Sequence, residues 1–166
     1  MKSNLLLNFN VDKENKKIFV DREFAAPVPK VWAAWTQQEL LDQWWAPKPW
    51  VAKTKSLDFR EGGKWLYAMV GPEGEEHWSL ATYGPIVPEK SFTGDDGFCD
   101  ADGNVNDSLP GSHWDYTFED KTDKTLVSIE ITYKSLEDLE ANIQMGFKEG
   151  FTMGMENLDE LLAAQQ

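Results

Sequence analysis

Apolar and polar residues alternate over Lys16–Phe24 (KKIFVDREF), where Ile18, Val20 and Phe24 share one face at period two and predict a first strand. Arg22 falls on that same face, which is unusual for a dry surface. The period then changes. In the following AAPVPKVWAAWTQQELLDQWW, Val28, Val31, Trp32 and Trp35 recur at helical spacing. Pro27 and Pro29 suit a helix start, because their missing N–H groups would be orphans in the first turn. Thr36-Gln37-Gln38-Glu39 has the form of a capping box and predicts a second helix with Leu40, Leu41 and Trp44 on its apolar face. Pro47 and Pro49 end it, so two short helices with a bend at Thr36 are expected.

From Val51 to Tyr133 the period returns to two. VAKTKSLDF precedes a Gly62-Gly63 turn, and KWLYAMV places Trp65, Tyr67 and Met69 on one face. Gly71-Pro72-Glu73-Gly74 signals a hairpin before HWSLATY. A short strand is expected near Glu89–Thr93. Trp114, Tyr116 and Phe118 alternate, as do Val127, Ile129, Ile131 and Tyr133. Consecutive strands with short turns argue for an antiparallel meander.

Ser135-Leu136-Glu137-Asp138 looks like a helix cap. Leu136, Leu139, Ile143, Phe147, Phe151, Gly154, Leu158 and Leu161 then keep a period near 3.6, predicting one helix of ~40 Å at about 1.5 Å per residue. The order implies an α+β fold in which a strongly curved antiparallel sheet wraps a long C-terminal helix, with two short helices between strands 1 and 2. The expected organisation is an N-terminal extension, 1–15, and a single domain, 16–166.

Gly146, Gly150 and Gly154 recur every fourth residue in that last segment. Each costs about 1 kcal/mol against alanine inside a helix, so something must offset them. Close backbone packing, room for a ligand beside Phe147 and Phe151, and a homodimer seam are the three readings. The aromatic residues divide similarly. Trp32 and Trp35 sit at helical core positions. Trp44, Trp45 and Trp50 lie beside two prolines and are candidates for a pocket entrance. Trp65, Tyr67, Trp78 and Trp114 lie on strands whose inward faces the pattern leaves open.

The charge of −13 disfavours a phosphate backbone and an anionic membrane as partners. One cysteine, Cys99, permits no internal disulfide and fits a cytoplasmic location. The N-terminal leucine run is too short for a signal peptide, and no run approaches a membrane span. His77 and His113 are the only histidines and form no metal-ligand spacing, so no metal site or cofactor is expected. The stretch Asp95–Asp107 (DDGFCDADGNVND) resembles a calcium loop but would put Phe98 and Leu109 at ligand positions; an acidic loop with an Asp102-Gly103 turn is expected instead. Glu61, Glu75, Glu76, Asp115 and Glu130 could act as acids or bases, but no spacing singles out a pair.

Several stretches together resemble the family of homologues of the activator of the Hsp90 ATPase: REFAAPVPKVWAAWTQQELLDQWWAP, FREGGKWLYAMVGPEG, YGPIVPEK and MGFKEGFTMGMENLDELL. The resemblance spans about residues 16–163. It implies membership of the helix-grip superfamily known as SRPBCC, with START lipid-transfer domains, polyketide cyclases and birch-pollen-allergen-like proteins. That superfamily typically holds hydrophobic molecules between sheet and helix. By the resemblance to the activator homologues, the family tryptophan in the GW-x-x-x-GW-like part of the last helix appears here as Phe147 and Phe151.

The leading expectation is therefore a binding module for a small hydrophobic, aromatic or lipid-like molecule. Trp44, Trp45 and Trp50 would flank the entrance. Trp65, Tyr67, Trp78, Phe147 and Phe151 would supply the wall, and Arg22 or Tyr67 would orient the ligand. Two alternatives stand beside it. One is a stress-linked co-chaperone that contacts a chaperone. The other is a cyclase- or hydrolase-like enzyme, whose distinguishing feature would be a buried acidic residue facing the cavity.

Overall fold

Among the described residues, eight antiparallel strands form one sheet in the order β1-β2-β8-β7-β6-β5-β4-β3. The structure, a computed structural model, describes residues 5–164. The first four residues of the expected extension and the last two of the expected domain lie outside the described residues. The sheet curves around the C-terminal helix as the hydrophobic pattern predicts. The two short helices α1 (Val28–Thr36) and α2 (Gln38–Trp44) follow the strand Lys17–Phe24. That strand is the second in the chain, β2, because Leu7–Asp12 forms an edge strand, β1, paired antiparallel to it.

The bend between the helices falls where expected, but Thr36 does not cap α2. Its hydroxyl donates back to the Trp32 carbonyl at 2.8 Å as the last residue of α1. Gln37, with extended φ and ψ, takes the cap position without a side-chain bond.

After α2 come β3 (Val51–Leu57), β4 (Lys64–Val70), β5 (Glu76–Val87), β6 (Ser91–Cys99), β7 (Ser112–Asp120) and β8 (Thr125–Tyr133). The expected short strand near Glu89–Thr93 runs on to Cys99, so Asp95 and Asp96 belong to β6 and not to a loop. The Asp102-Gly103 turn forms, with the Gly103 N–H donating to the Asp100 carbonyl.

The C-terminal segment is two helices, α3 (Leu136–Gln144) and α4 (Phe147–Ala164). Ser135 caps α3 by accepting from the Asp138 N–H at 3.1 Å. Gly146, at φ +87°, breaks the helix, a left-handed conformation that a side chain disfavours. The long helix is thus α4, about 27 Å at 1.5 Å per residue. Only Gly150 and Gly154 of the glycine series carry a helix-interior penalty.

One core joins the sheet, α1, α2 and α4 through Ile18, Val20, Val31, Leu41, Trp44, Ile131, Met155 and Leu158. A Cβ on Gly154 would lie 3.2 Å from the Trp45 carbonyl oxygen and 3.4 Å from that of Trp44. Close backbone packing therefore explains this glycine. Asn157, one turn on, donates to the Ala46 and Trp44 carbonyls at 3.0 and 3.4 Å. The end of α2 is seated on α4 by absent bulk at one residue and by hydrogen bonds from another.

Arg22 on the dry face also finds its reason. Its guanidinium makes a two-pronged ion pair with Asp159 of α4, at 3.2 and 2.5 Å, and donates to the Glu23 carbonyl. Both side chains of the pair are 7% exposed. The pair ties α4 to β2 on the side of the domain that packs solidly.

Candidate functional site

The sheet and the C-terminal helices part company around the α3–α4 break. A cavity of about 750 Å³ lies there. Gly146, Phe147, Gly150 and Phe151 form the helical wall. A Cβ on Gly150 would have only Pro47 nearby, at 3.6 Å. This glycine, unlike Gly154, keeps space open.

The sheet wall comes from period-two alternation on four strands: Tyr67 and Met69 from β4, His77 and Ser79 from β5, Asp96 and Phe98 from β6, Ser112 and Trp114 from β7. Pro47 and Trp50 approach from the proline-bounded turn. Leu109, Pro110 and the exposed Met145 complete the rim, with Asn142 of α3 beside them. Aromatic rings fix the shape. Phe147 and Phe151 stack at 5.3 Å, and Trp114 stands edge-on to both at 5.8 and 5.6 Å. Phe9 of β1 packs on Phe147 from the far side.

The three tryptophans of the proline-bounded turn take three roles. Trp44 is fully buried and donates its indole N–H to the Ala34 carbonyl at 2.8 Å, so it plugs the core and does not line the cavity. Trp45 belongs to both: it packs on Trp35 and Trp44 behind, and faces the cavity in front. Trp50 is half-buried at the mouth with its ring 5.3 Å from that of His77.

Of the other residues singled out by sequence, Tyr67, Phe147 and Phe151 reach the cavity and three do not. Trp65 shares the inner face with Tyr67 and stacks on it at 4.1 Å, but its indole is spent on Thr54 in the layer behind. Trp78 alternates to the outer face, where it donates to Glu76 at 3.3 Å and Lys55 lies over its ring. Arg22 is held by Asp159, away from the cavity.

Polar groups facing the cavity are few. The Trp45 indole N–H donates to the Tyr67 hydroxyl at 2.9 Å, and Ser79 of β5 is a second side-chain hydrogen-bond partner of that hydroxyl. Burial pushes the Tyr67 phenol above its usual range, so it stays neutral. The Ser112 hydroxyl accepts from the Trp114 indole at 2.8 Å, and Asn142 donates to Tyr133 at 2.5 Å.

Asp96 is the exception. It faces inward between Ala81 of β5 and Ser112 of β7. Among the described residues, no hydrogen bond or ion pair reaches its carboxyl. It is partly buried, with part of its surface open to the cavity. Burial, with a smaller push from Asp95, raises its pKa to about 7, against a weaker opposing pull from His113. The acids expected from sequence (Glu61, Glu75, Glu76, Asp115 and Glu130) do not line the cavity. Asp96 was hidden because DDGFCD reads as an acidic loop. The alternation Phe92, Gly94, Asp96, Phe98 would have placed it on the inner face.

Among the described residues no group of three or more His, Cys, Asp or Glu is placed to hold a metal ion. Among the described residues no helix is long and apolar enough to cross a membrane.

Residues 25–163 match the family model described as activator of Hsp90 ATPase homolog 1-like protein. A solution structure of a protein from Arthrobacter aurescens is similar at 30% identity and a TM-score of 0.89, over 95% of this chain and 91% of that one. A crystal structure of a protein from Mycobacterium smegmatis is similar at 32% identity and a TM-score of 0.87, over 95% and 96%. The AHSA1 protein from Silicibacter pomeroyi shares the fold at 24% identity and a TM-score of 0.73, over 90% and 99%. No curated protein matches the chain.

Proposed function

The chain belongs to the family of activator of Hsp90 ATPase homolog 1-like proteins, and on that premise we propose that it binds a small apolar molecule, aromatic or lipid-like, between the sheet and the C-terminal helices. One observation carries this reading: a cavity of about 750 Å³ walled mainly by aromatic rings and held open at Gly150. Ligand pockets typically enclose about 300–1,000 Å³, are mostly apolar, and carry a few polar groups that set orientation. Trp45, Trp50, Tyr67, Trp114, Phe147 and Phe151 supply the apolar wall, and Tyr67 and Asp96 the orienting groups. Apolar ligand surface contributes about 25 cal/mol per Å² before ordering costs. Native mass spectrometry of protein purified from its own host tests this: a retained small molecule is expected. A bare protein, together with calorimetric silence across neutral aromatic and lipid-like compounds, would end the reading.

The partly buried carboxyl favours a second reading, an enzyme of the cyclase or hydrolase kind. A carboxyl titrating near neutral pH can give or take a proton at physiological pH. Turnover of a polyketide-type or aromatic ester substrate that Asp96→Asn abolishes would support it. Equal turnover by that variant would end it. The family's description also suggests a chaperone as partner, and failure both to bind a cognate chaperone and to stimulate its ATPase would remove that role.

A further inference from the structure

The wall of the cavity has an electrostatic asymmetry. Among the described residues that line it, none is Lys or Arg, and Asp96 is the one carboxylate. The other ionisable groups around Asp96 are accounted for. Asp95 precedes it on β6 and His113 lies on β7, bonded to Asp95 at 2.7 Å. The phenols of Tyr67, Tyr83, Tyr116 and Tyr133, on β4, β5, β7 and β8, are all raised above their usual range and carry no charge near neutral pH. His77 sits at the mouth against Trp50. The helical wall contributes rings and glycines but no charge. An ionised Asp96 thus faces the cavity with no counter-ion from the protein.

A partly desolvated carboxylate without a partner is costly, and a ligand group that satisfies it gains what the protein leaves unmade. Cations over aromatic faces gain further from the ring quadrupole. An incoming carboxylate or phosphate would meet Asp96 with no lysine or arginine to receive it.

Resting on the apolar-ligand reading above, we propose that the cavity selects lipophilic or aromatic amines, with the cationic nitrogen seated on Asp96 and the apolar body against Trp45, Trp114, Phe147 and Phe151, and that it rejects acids of the same shape. The amine stabilises the ionised carboxylate, so binding below the Asp96 titration releases a proton. Amine affinity therefore rises as pH approaches and passes about 7, then levels off.

Naphthylmethylamine, naphthylmethanol and naphthoic acid share one aromatic body and differ in the group offered to Asp96. Calorimetric titration of the whole chain with all three is the test. The amine should bind about tenfold or more tighter than the alcohol above pH 7, as expected for a charge-assisted bond, and the acid should bind weakest. Asp96→Asn should close the gap between the amine and the alcohol and abolish the rise of amine affinity with pH. The wild-type pH profile carries the same information without any variant. The alcohol or the acid binding as tightly as the amine would overturn the amine preference while sparing the apolar-ligand reading. Silence from all three would remove the reading and the preference together.

Discussion

The indole N–H of Trp45 donates to the hydroxyl of Tyr67 at 2.9 Å, across the seam where the proline-bounded turn meets β4. Both residues face the cavity, and the bond fixes one edge of it. Tyr67→Phe removes the acceptor and strands a buried N–H, which costs about 1–3 kcal/mol. Urea unfolding should show that loss with an unchanged m-value.

The two helical glycines should respond oppositely to alanine. Each substitution gains about 1 kcal/mol of helix propensity. At Gly150 the new Cβ meets only Pro47 at 3.6 Å, an ordinary contact. Gly150→Ala should raise the melting temperature and weaken ligand binding by narrowing the cavity. At Gly154 the Cβ would press on the Trp45 carbonyl at 3.2 Å, in a turn whose neighbouring carbonyls Asn157 holds in place. Overpacking of this kind costs about 1–3 kcal/mol, so Gly154→Ala should be destabilised. Paired thermal melts check both.

Arg22 and Asp159 form a buried pair. Removing one partner leaves an uncompensated charge and costs about 3–5 kcal/mol, whereas replacing both with apolar residues of similar volume is close to neutral. Arg22→Met alone should unfold at much lower urea than the wild type. Arg22→Met combined with Asp159→Leu should recover most of the difference.

Asp96 makes stability depend on pH. Its folded pKa, about 7, lies above the ordinary 3.8. The folded state therefore holds the proton that the unfolded state releases between those values. Stability from this group is fully present below the unfolded pKa and is lost as pH rises to about 7. Asp96→Asn has no such loss. Its stability relative to wild type should grow between pH 3.8 and about 7 by up to about 1.4 kcal/mol per unit, and stay level above. Denaturant melts across that range check the slope.

Much of this architecture is legible in the residues themselves. Ile18, Val20 and Phe24, or Val127 through Tyr133, alternate because one face is dry and the other wet. The helix pair is legible because Val31, Trp32 and Trp35 repeat at helical spacing after two prolines. The break at Gly146 is not, because Leu139, Ile143, Phe147 and Phe151 keep their spacing across it, and a glycine at a helix end looks like one inside. β1 is missed because an edge strand buries little: Leu7 and Val11 remain exposed.

The site divides along the same line. Trp45, Trp50, Phe147 and Phe151 stand out by ring size beside prolines and glycines. Arg22 resembles a site residue by its polarity on a dry face, and only Asp159, far along the chain, explains it. Asp96 demanded that a run of acids and glycines be read as a strand, and local composition argues against that. Trp44 and Trp45, adjacent in sequence, split between core and cavity because α2 ends between them.

The eight tryptophans report directly on where a ligand sits. The most direct test is an NMR titration of indole N–H resonances with naphthylmethanol, an aromatic that brings no charge to Asp96. Occupation of the cavity predicts saturable shifts at Trp45, Trp50 and Trp114, with Trp44 in the core and Trp78 on the outer face unmoved. Saturable shifts at Trp78, or no saturable shift at the three cavity tryptophans, would contradict the account.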